Sequence, residues 1–438
     1  MIEQVLKRKN LYKAYRQVVR NKGAAGIDGM TVEELSVYLE ANRDKIITSI
    51  LKFTYVPNAI LAVEIPKSNG KTRMLGIPTV VDRWLQQAVS QTLASKFELS
   101  FEDHSYGFRP EKNTQQAVSQ SLKYINDGFQ DIVDIDLKGF FDEVDHTKLL
   151  QLIYNKVKCP TTLRLIRKWL RAPIQIKGKL HKRRKGMPQG SPISPLLSNI
   201  LLDELDKELV KRGLRYVRYA DDFSIYAKSK AEARKIGNSI YEFLRDKLHL
   251  PINREKSGIR RPVNFELLGH GFAAVYKKGV QGQYQLVVSK KAWKTLKRKL
   301  KDISRKTRPM SFNERLLKLS EVWKGWLNNF RLANIHTKLK ALDEWLRNRL
   351  RYCIWHDWKK PDRKRKNLIR LGVNHDRAYA YSRTRMGGWA VAQSPILRTT
   401  ITLPRLRRRG YESMLSYYRK RFLRFNEPPY TRPVRTVV

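Results

Sequence analysis

Apolar and polar positions alternate along the first 290 residues in a way that predicts a mixture of helices and strands. Leu6, Leu11 and Tyr15 recur at roughly helical spacing, which predicts helix within residues 1–50. Residues 60–79 alternate and contain a Ser-Asn-Gly turn, and this pattern predicts a β-hairpin. Further helices are predicted near residues 81–98, 146–158, 196–211 and 230–248.

Acidic residues interrupt two short apolar segments of this region. Residues 132–137 are predicted to form a strand, in which Asp134 and Asp136 share one face because side chains alternate along a strand. Residues 216–226 are predicted to form two strands joined at Asp221-Asp222. Two more strands are predicted near residues 263–275 and 284–288.

The composition changes at about residue 291. From there to the end the chain holds 39 Lys plus Arg against 10 Asp plus Glu, and seven of its nine Trp. The pattern is mostly helical up to about residue 355. We therefore expect an N-terminal extension at 1–50, a first module at 51–290, a basic helical module at 291–424, and a basic, Pro-containing tail at 425–438.

The total charge favours a polyanionic partner. The chain has 438 residues, a formal net charge of +49 and a pI of about 10.4. Such a charge repels itself in a compact state unless a polyanion neutralises it, and nucleic acid is the leading candidate. An anionic membrane surface is the alternative, but no apolar run reaches the ~18 residues needed to span a bilayer. We expect no membrane partner.

Cysteine usage and the N-terminus indicate the compartment. Cys159 and Cys353 are the two cysteines, too few for a disulfide framework or a cysteine-based zinc site. We expect no disulfide-linked partner. The first residues lack a basic segment followed by an apolar one, so they do not resemble a signal peptide. The expectation is a reduced, cytoplasmic protein.

Asp221 and Asp222 are the strongest local candidates for chemistry. Two adjacent carboxylates between apolar segments repel each other, and divalent cations relieve that repulsion. The alternative is a polar hairpin tip, where Asp is common. Asp136 lies on the other acidic strand and could meet Asp221 on a neighbouring strand. Such carboxylates can hold two Mg²⁺ ions for in-line attack on a phosphate.

A series of sequence blocks then carries a resemblance to a known family. The blocks are residues 21–29, 65–83, 104–110, 133–142, 186–195, the Tyr-Ala-Asp-Asp box at 219–222, 253–256, 267–272 and 323–330. In this order they resemble the reverse transcriptases and maturases encoded by bacterial group II introns. The resemblance covers nearly the whole chain. It implies an α+β right-hand polymerase, with fingers, a ferredoxin-like palm with an antiparallel sheet, and a helical thumb or maturase domain X.

The resemblance also implies residue roles. The catalytic and metal-binding residues would be Asp136, Asp221 and Asp222; the dNTP-binding residues Lys67, Arg73, Phe141 (as a steric gate against the ribose 2′-OH) and Gln189; and the template- or primer-binding residues Arg109, Gly190, Lys256, Leu268 and Gly269. Each non-carboxylate role has a plainer alternative. The bases could be exposed or structural, the aromatic ring could belong to the core, and the glycines could belong to ordinary turns.

The implied activity is RNA-directed addition of dNMP to the 3′-OH of a DNA or RNA primer, with two Mg²⁺ ions. The implied partners are an RNA template, the primer, dNTPs and a group II intron RNA, bound as a ribonucleoprotein for splicing and retrohoming. The Cys and His content lacks the pattern of an endonuclease domain, as in compact group IIC-like relatives. Two alternatives stay open: an RNA-binding maturase or chaperone with incidental polymerase activity, and a domesticated polymerase serving DNA repair or defence.

Overall fold

A computed structural model describes residues 1–66, 70, 72–276 and 282–422. Lys67 and the expected tail at 425–438 therefore lie outside the described residues. The chain divides into two compact units, Met1–Phe265 and Glu266–Val438. No helix in the described ranges is long and apolar enough to cross a membrane.

The first unit mixes helices and strands. Its helices are α1 (Ile2–Leu6), α2 (Arg8–Arg20), α3 (Leu35–Leu51), α4 (Val80–Phe97), α5 (Thr114–Asn126), α6 (Phe140–Glu143), α7 (His146–Val157), α8 (Pro160–Arg171), α9 (Ser194–Lys211) and α10 (Lys230–Asp246). Its strands are β1 (Ile60–Pro66), β2 (Thr72–Ile77), β3 (Asp131–Asp136), β4 (Ile174–Ile176), β5 (Lys179–His181), β6 (Arg215–Tyr219), β7 (Asp222–Ala227) and β8 (Gly258–Arg260).

Two helices that are buried on most sides lie in the interior of this unit. Helix α4 buries Trp84 and Leu85, and helix α9 buries nearly every residue from Leu196 to Asp206. The N-terminal helices pack on α4, where Trp84 Nε1 donates to the carbonyl of Leu11 at 2.9 Å.

The strands β3, β6, β7 and β8 form one antiparallel sheet in the order β6-β7-β3-β8. Helices α6 to α9 connect β3 to β6, and α10 connects β7 to β8. This is the β-α-β-β-α-β arrangement of ferredoxin-like folds. The predicted α+β class and ferredoxin-like antiparallel sheet are therefore confirmed. A second sheet, in the order β2-β1-β4-β5, contains the predicted hairpin.

The second unit begins with a three-stranded antiparallel sheet and continues in helices. Its strands are β9 (Glu266–Leu267), β10 (His270–Ala274) and β11 (Tyr284–Val288). Its helices are α11 (Lys290–Ile303), α12 (Phe312–Asn329), α13 (His336–Asp357), α14 (Pro361–Arg370), α15 (His375–Ser382), α16 (Gly388–Gln393), α17 (Pro395–Thr400), α18 (Leu403–Arg408) and α19 (Met414–Arg421). Helix thus continues well past residue 355.

Buried aromatic and acidic side chains hold the second unit together. Trp323 and Trp355 are almost fully buried and belong to its core. The buried carboxylate of Asp343 accepts hydrogen bonds from the Tyr411 hydroxyl and the Ser413 hydroxyl, both at 2.6 Å. These bonds attach the segment before α19 to helix α13, since a buried carboxylate needs partners of this kind.

Candidate active site

Two aspartates lie opposite each other on neighbouring strands of the ferredoxin-like sheet. In the antiparallel β3–β7 ladder, Asp136 is the register partner of Asp222. Asp221 directly precedes Asp222, in the turn that joins β6 to β7. The structure thus brings the three predicted carboxylate residues to the same end of the sheet.

The β6–β7 turn has an unusual backbone. Tyr219 pairs with Asp222, so Ala220 and Asp221 form a two-residue turn, one residue earlier than the predicted junction at Asp221-Asp222. Ala220 has a φ of 58°. A positive φ costs about 1–2 kcal/mol in a residue with a Cβ, and glycine is the usual choice at such a turn position. Surrounding contacts must hold this conformation.

The surroundings of this site raise the pKa of two of its carboxyl groups. Desolvation, reinforced by the neighbouring carboxylates of Asp221 and Asp136, raises the pKa of Asp222 to about 6. Asp134, on the same face of β3, accepts from Arg260 Nε at 2.7 Å, and desolvation raises the pKa of its carboxyl. A site that disfavours ionisation of its own carboxylates favours a bound cation.

Lys256 supplies one positive charge. Its Nζ lies 3.1 Å from Asp136 Oδ2. The segment that carries it is fixed to the same strand, because Asn253 N donates to the carbonyl of Asp136 at 2.8 Å and Asp136 N donates to the Ser257 hydroxyl at 3.0 Å. Lys256 therefore lies beside the carboxylates, and its expected role in binding template or primer stays a prediction.

The side chains of this site are of the chemical type that binds divalent cations. Carboxylate oxygens are the hard ligands that Mg²⁺ prefers, and an ammonium group already neutralises Asp136. Asp136, Asp221 and Asp222 are the residues that would hold the ions. Over the described ranges, no group of three or more His, Cys, Asp or Glu side chains is arranged closely enough to hold a metal ion. The fit therefore rests on donor type and charge.

A second set of predicted residues connects strand β2 to the segment that precedes α9. Arg73, on β2, donates through Nε to Gln189 Oε1, and Gly76 N donates to the Gln189 carbonyl at 2.8 Å. Gly190 has a φ of 118°, and a Cβ added there would lie 2.9 Å from the Gly76 carbonyl oxygen. The close backbone approach that glycine permits at this position is thus to strand β2.

Phe141 and Phe140 differ in burial although they are adjacent. Phe140 is 2% exposed and belongs to the core, whereas Phe141 is half-buried and packs edge-on against it at 5.3 Å between ring centroids. The Phe141 carbonyl accepts from Met187 N at 2.7 Å. This bond connects Phe141 to the segment that carries Gln189.

The Arg109 side chain is almost fully buried and bonded to neighbouring residues. The resemblance implies that Arg109 binds template or primer, but the side chain is 5% exposed and pairs with Glu98 at 2.9 Å, which favours the structural alternative. Its Nη1 also donates to the carbonyls of Glu102 and Ser105. A guanidinium occupied by these bonds stabilises its own loop and does not present a surface to a template.

Leu268 and Gly269 lie in the second unit, in the turn between β9 and β10. A Cβ added at Gly269 would lie 3.2 Å from the Phe330 ring. Phe330 ends the block at 323–330, so two of the sequence blocks pack together within this unit. Lys67 is not described, and its position relative to Arg73 stays a prediction.

A buried arginine that the sequence blocks do not single out lies next to the Tyr-Ala-Asp-Asp box. Arg218 is fully buried and pairs with Asp206 at 2.5 Å, both side chains being 0% exposed. Its signal in the sequence is a charged residue at an interior position of an apolar strand. A buried charge of this kind requires a specific partner.

Two families of known proteins match this chain. The family described as "Reverse transcriptase (RNA-dependent DNA polymerase)" matches residues 65–272, and the "Group II intron, maturase-specific domain" matches residues 293–372. A chain of the solved partial Cas6-RT-Cas1–Cas2 complex is similar at 26% identity with a TM-score of 0.36, over 55% of this chain and 40% of that chain.

Two curated relatives extend the comparison. The group II intron-encoded protein LtrA of Lactococcus lactis subsp. cremoris is 36% identical over 52% of this chain and 37% of its own length. Protein YkfC of Escherichia coli (strain K12) is 30% identical over 63% of this chain and 83% of its own length. The chain thus spans well under half of LtrA and most of YkfC. The resemblance predicted from the sequence blocks is confirmed: the chain belongs to the family of group II intron-encoded reverse transcriptases and maturases.

Proposed function

We propose that this protein is an RNA-directed DNA polymerase that adds dNMP to the 3′-OH of a primer paired with an RNA template. The observation that carries the proposal is the pairing of Asp136 with Asp222 across the β3–β7 ladder, with Asp221 in the adjoining turn. Carboxylates concentrated in this way suit the transfer of a phosphoryl group.

Reverse transcriptases are divalent-metal-dependent polymerases in general, and we propose Mg²⁺ as the ion. Two such ions, when bound, lower the pKa of the primer hydroxyl and stabilise the leaving pyrophosphate. Asp136, Asp221 and Asp222 would hold them. Without the ions, the ammonium of Lys256 neutralises Asp136. When the ions bind, Lys256 would be released from Asp136 and could turn toward the substrate.

Other residues would orient the incoming nucleotide. Arg73 presents an exposed guanidinium beside Gln189, which suits a triphosphate because its donors match phosphate oxygens in pairs. Lys67 would provide a second charge to the same group. Phe141, half-buried beside the core, would exclude a ribose 2′-OH and so favour dNTPs. Gly190 would allow the nascent base pair to approach, and Leu268 and Gly269 would position the primer.

The basic second unit supports a further role in binding group II intron RNA, which would assist splicing and retrohoming as a ribonucleoprotein. Residues 291–438 carry 39 Lys plus Arg against 10 Asp plus Glu, and residues 293–372 match the maturase-specific domain. Lysine and arginine contacts to phosphates dominate affinity for RNA and make it sensitive to salt. An RNA-binding protein with incidental polymerase activity is the second candidate, favoured by this same charge.

Primer extension tests the proposal. The wild-type protein should extend a DNA primer on an RNA template with dNTPs and Mg²⁺, and Asp221→Ala should abolish extension. Asp246→Ala, which removes an exposed carboxylate on α10, is the matched control and should keep wild-type extension. If neither the wild type nor the control extends the primer although both bind RNA tightly and in a salt-sensitive way, the polymerase proposal fails and the second candidate replaces it.

A further inference from the structure

A buried ion pair lies directly beneath the turn that carries the reactive carboxylates. The guanidinium of Arg218 and the carboxylate of Asp206 are both 0% exposed. Arg218 Nε donates to Asp206 Oδ1 at 2.8 Å and Nη2 donates to Asp206 Oδ2 at 2.5 Å, a bidentate arrangement. Neither residue is among those that the family resemblance assigns to the site.

The remaining donors of this guanidinium reach the turn and its supports. Nη1 donates to the Ala220 carbonyl at 2.9 Å and to Asn199 Oδ1 at 3.1 Å, and Nη2 donates to the Ser105 hydroxyl at 2.6 Å. The guanidinium has five N–H groups, and these bonds occupy all of them. Its planar geometry therefore fixes the position of the Ala220 carbonyl relative to helix α9.

Main-chain contacts secure the same place from a second side. Arg218 N donates to the His104 carbonyl at 3.0 Å, and Tyr106 N donates to the Arg218 carbonyl at 2.8 Å. A Cβ added at Gly107 would lie 2.3 Å from Ala220 N, so the backbone passes the turn at a distance that only glycine allows. Asn199 Nδ2 donates to the Gly107 carbonyl at 2.9 Å and connects both supports.

These contacts surround a residue in an unfavourable conformation. Ala220 has a φ of 58°, which glycine adopts readily and alanine does not. Such conformations persist only where the surroundings determine them. A buried ion pair contributes little net stability compared with apolar side chains of similar size, so stability alone does not explain this one.

We propose that Arg218 is a positioning residue, which acts with Asp206 to hold Ala220 in the left-handed conformation and thereby sets the placement of Asp221 and Asp222. The ion pair fixes the guanidinium, and the guanidinium fixes the Ala220 carbonyl. The turn held in this way then sets the orientation of the Asp221 and Asp222 carboxylates. Arg218 itself touches neither substrate nor reacting atoms. The proposal rests on the proposed polymerase function, since it concerns the same site.

The test separates positioning from folding. Arg218→Met alone leaves Asp206 buried and unpaired, which destabilises the protein for trivial reasons. In Arg218→Met/Asp206→Leu, both charges are removed, and the thermal unfolding midpoint should return to within a few degrees of the wild type. This double variant should still show a 10- to 100-fold lower kcat in primer extension, with KM for dNTP and Kd for template–primer changed less than about threefold.

Two further variants keep the result decisive. Ser105→Ala removes one hydrogen-bond acceptor of the Arg218 guanidinium. It should lower kcat about two- to fivefold, whether or not the double variant folds. Asp82→Asn is the matched control. Asp82 is another buried carboxylate of the first unit, bonded to Tyr55 and Trp169, so its loss should lower the unfolding midpoint and leave kcat unchanged.

Hydrogen exchange measured without substrate distinguishes this proposal from the polymerase proposal. Peptides covering residues 216–226 and 103–109 should exchange faster in the folded double variant and at the wild-type rate in Asp82→Asn. An inactive wild type would overturn the polymerase proposal. Faster exchange in the double variant would still support the role of Arg218 and Asp206 in holding the turn. A wild-type kcat in the double variant, or in Ser105→Ala if the double variant does not fold, would overturn the positioning role, and so would unchanged exchange.

Discussion

Lys256 Nζ lies 3.1 Å from Asp136 Oδ2, on one of the carboxylates that would hold a divalent cation. The ammonium and a bound cation would therefore compete for this carboxylate. The lysine side chain is 65% exposed, so this competition is modest in energy.

Replacement of Lys256 should strengthen metal binding. At pH 8, Lys256→Ala should lower the Mg²⁺ concentration that gives half-maximal primer extension by about threefold, because an exposed pair contributes about 0.2–1 kcal/mol. Titration of Mg²⁺ in single-nucleotide extension measures this shift. Lys230→Ala, at the exposed start of α10, should leave the value unchanged. An unchanged or higher Mg²⁺ requirement for Lys256→Ala would contradict the competition.

The pH dependence of extension should report Asp222. Its pKa of about 6 means that the carboxylate is protonated, and unable to hold a cation, below that pH. At subsaturating Mg²⁺ the rate should therefore fall about tenfold per pH unit below the midpoint. More Mg²⁺ should move the midpoint to lower pH, since the ion binds only the ionised form. A profile between pH 5 and 8 that ignores the Mg²⁺ concentration would exclude this assignment.

The same pKa predicts a conflict between stability and activity. Because the folded-state pKa of Asp222 lies above its usual value of ~3.9, the ionised carboxylate destabilises the folded protein above pH ~6. This cost is relieved as the pH falls from about 6 to about 4. Asp222→Asn should thus raise the free energy of unfolding at pH 7.5, by less than about 1 kcal/mol because the side chain is partly exposed, while extension is lost. Denaturant unfolding at pH 7.5 and pH 4 checks the sign, and a less stable variant at pH 7.5 would refute it.

Phe141 and its neighbour Phe140 should affect different properties. Phe141→Val should reduce the preference for dNTPs over rNTPs about 10- to 100-fold, the size of effect expected when steric exclusion is removed from a pocket. Phe140→Leu changes a core residue and should cost less than about 1.5 kcal/mol of stability, with the preference retained. Competition assays with dNTP and rNTP pairs measure the preference. Equal selectivity of the wild type and Phe141→Val would remove Phe141 from the nucleotide site.

The sequence predicts those parts of the site in which polar and apolar residues alternate with the two-residue period of a strand. Asp134 and Asp136 alternate with apolar residues, so their shared face follows from the pattern alone. The hairpin at β1 and β2 follows from its turn residues in the same way. The ferredoxin-like sheet itself came from the family resemblance, because strand order depends on pairings between distant segments.

The rest depends on partners that the local pattern does not encode. Arg109 has the same local sequence whether it meets a template or Glu98, and only the fold decides between them. At Gly190 the structure shows a close backbone approach to strand β2, whereas the expected contact with template or primer stays a prediction. The role of Arg218 does not follow from the local pattern, because its partner, Asp206, lies on helix α9 and only the fold brings the two side chains together.

The loss of one carboxylate oxygen at Asp136 tests the central claim most directly. Asp136→Asn preserves the size of the side chain, and Asp134→Asn is its matched control two residues earlier on the same strand, where Arg260 rather than a metal is the partner. Single-turnover incorporation of one dNMP on an RNA template should slow on the order of 10⁴-fold in Asp136→Asn, and less than about tenfold in Asp134→Asn, with template–primer affinity retained in both. Equal rates in the two variants would contradict the assignment of the reaction to these carboxylates.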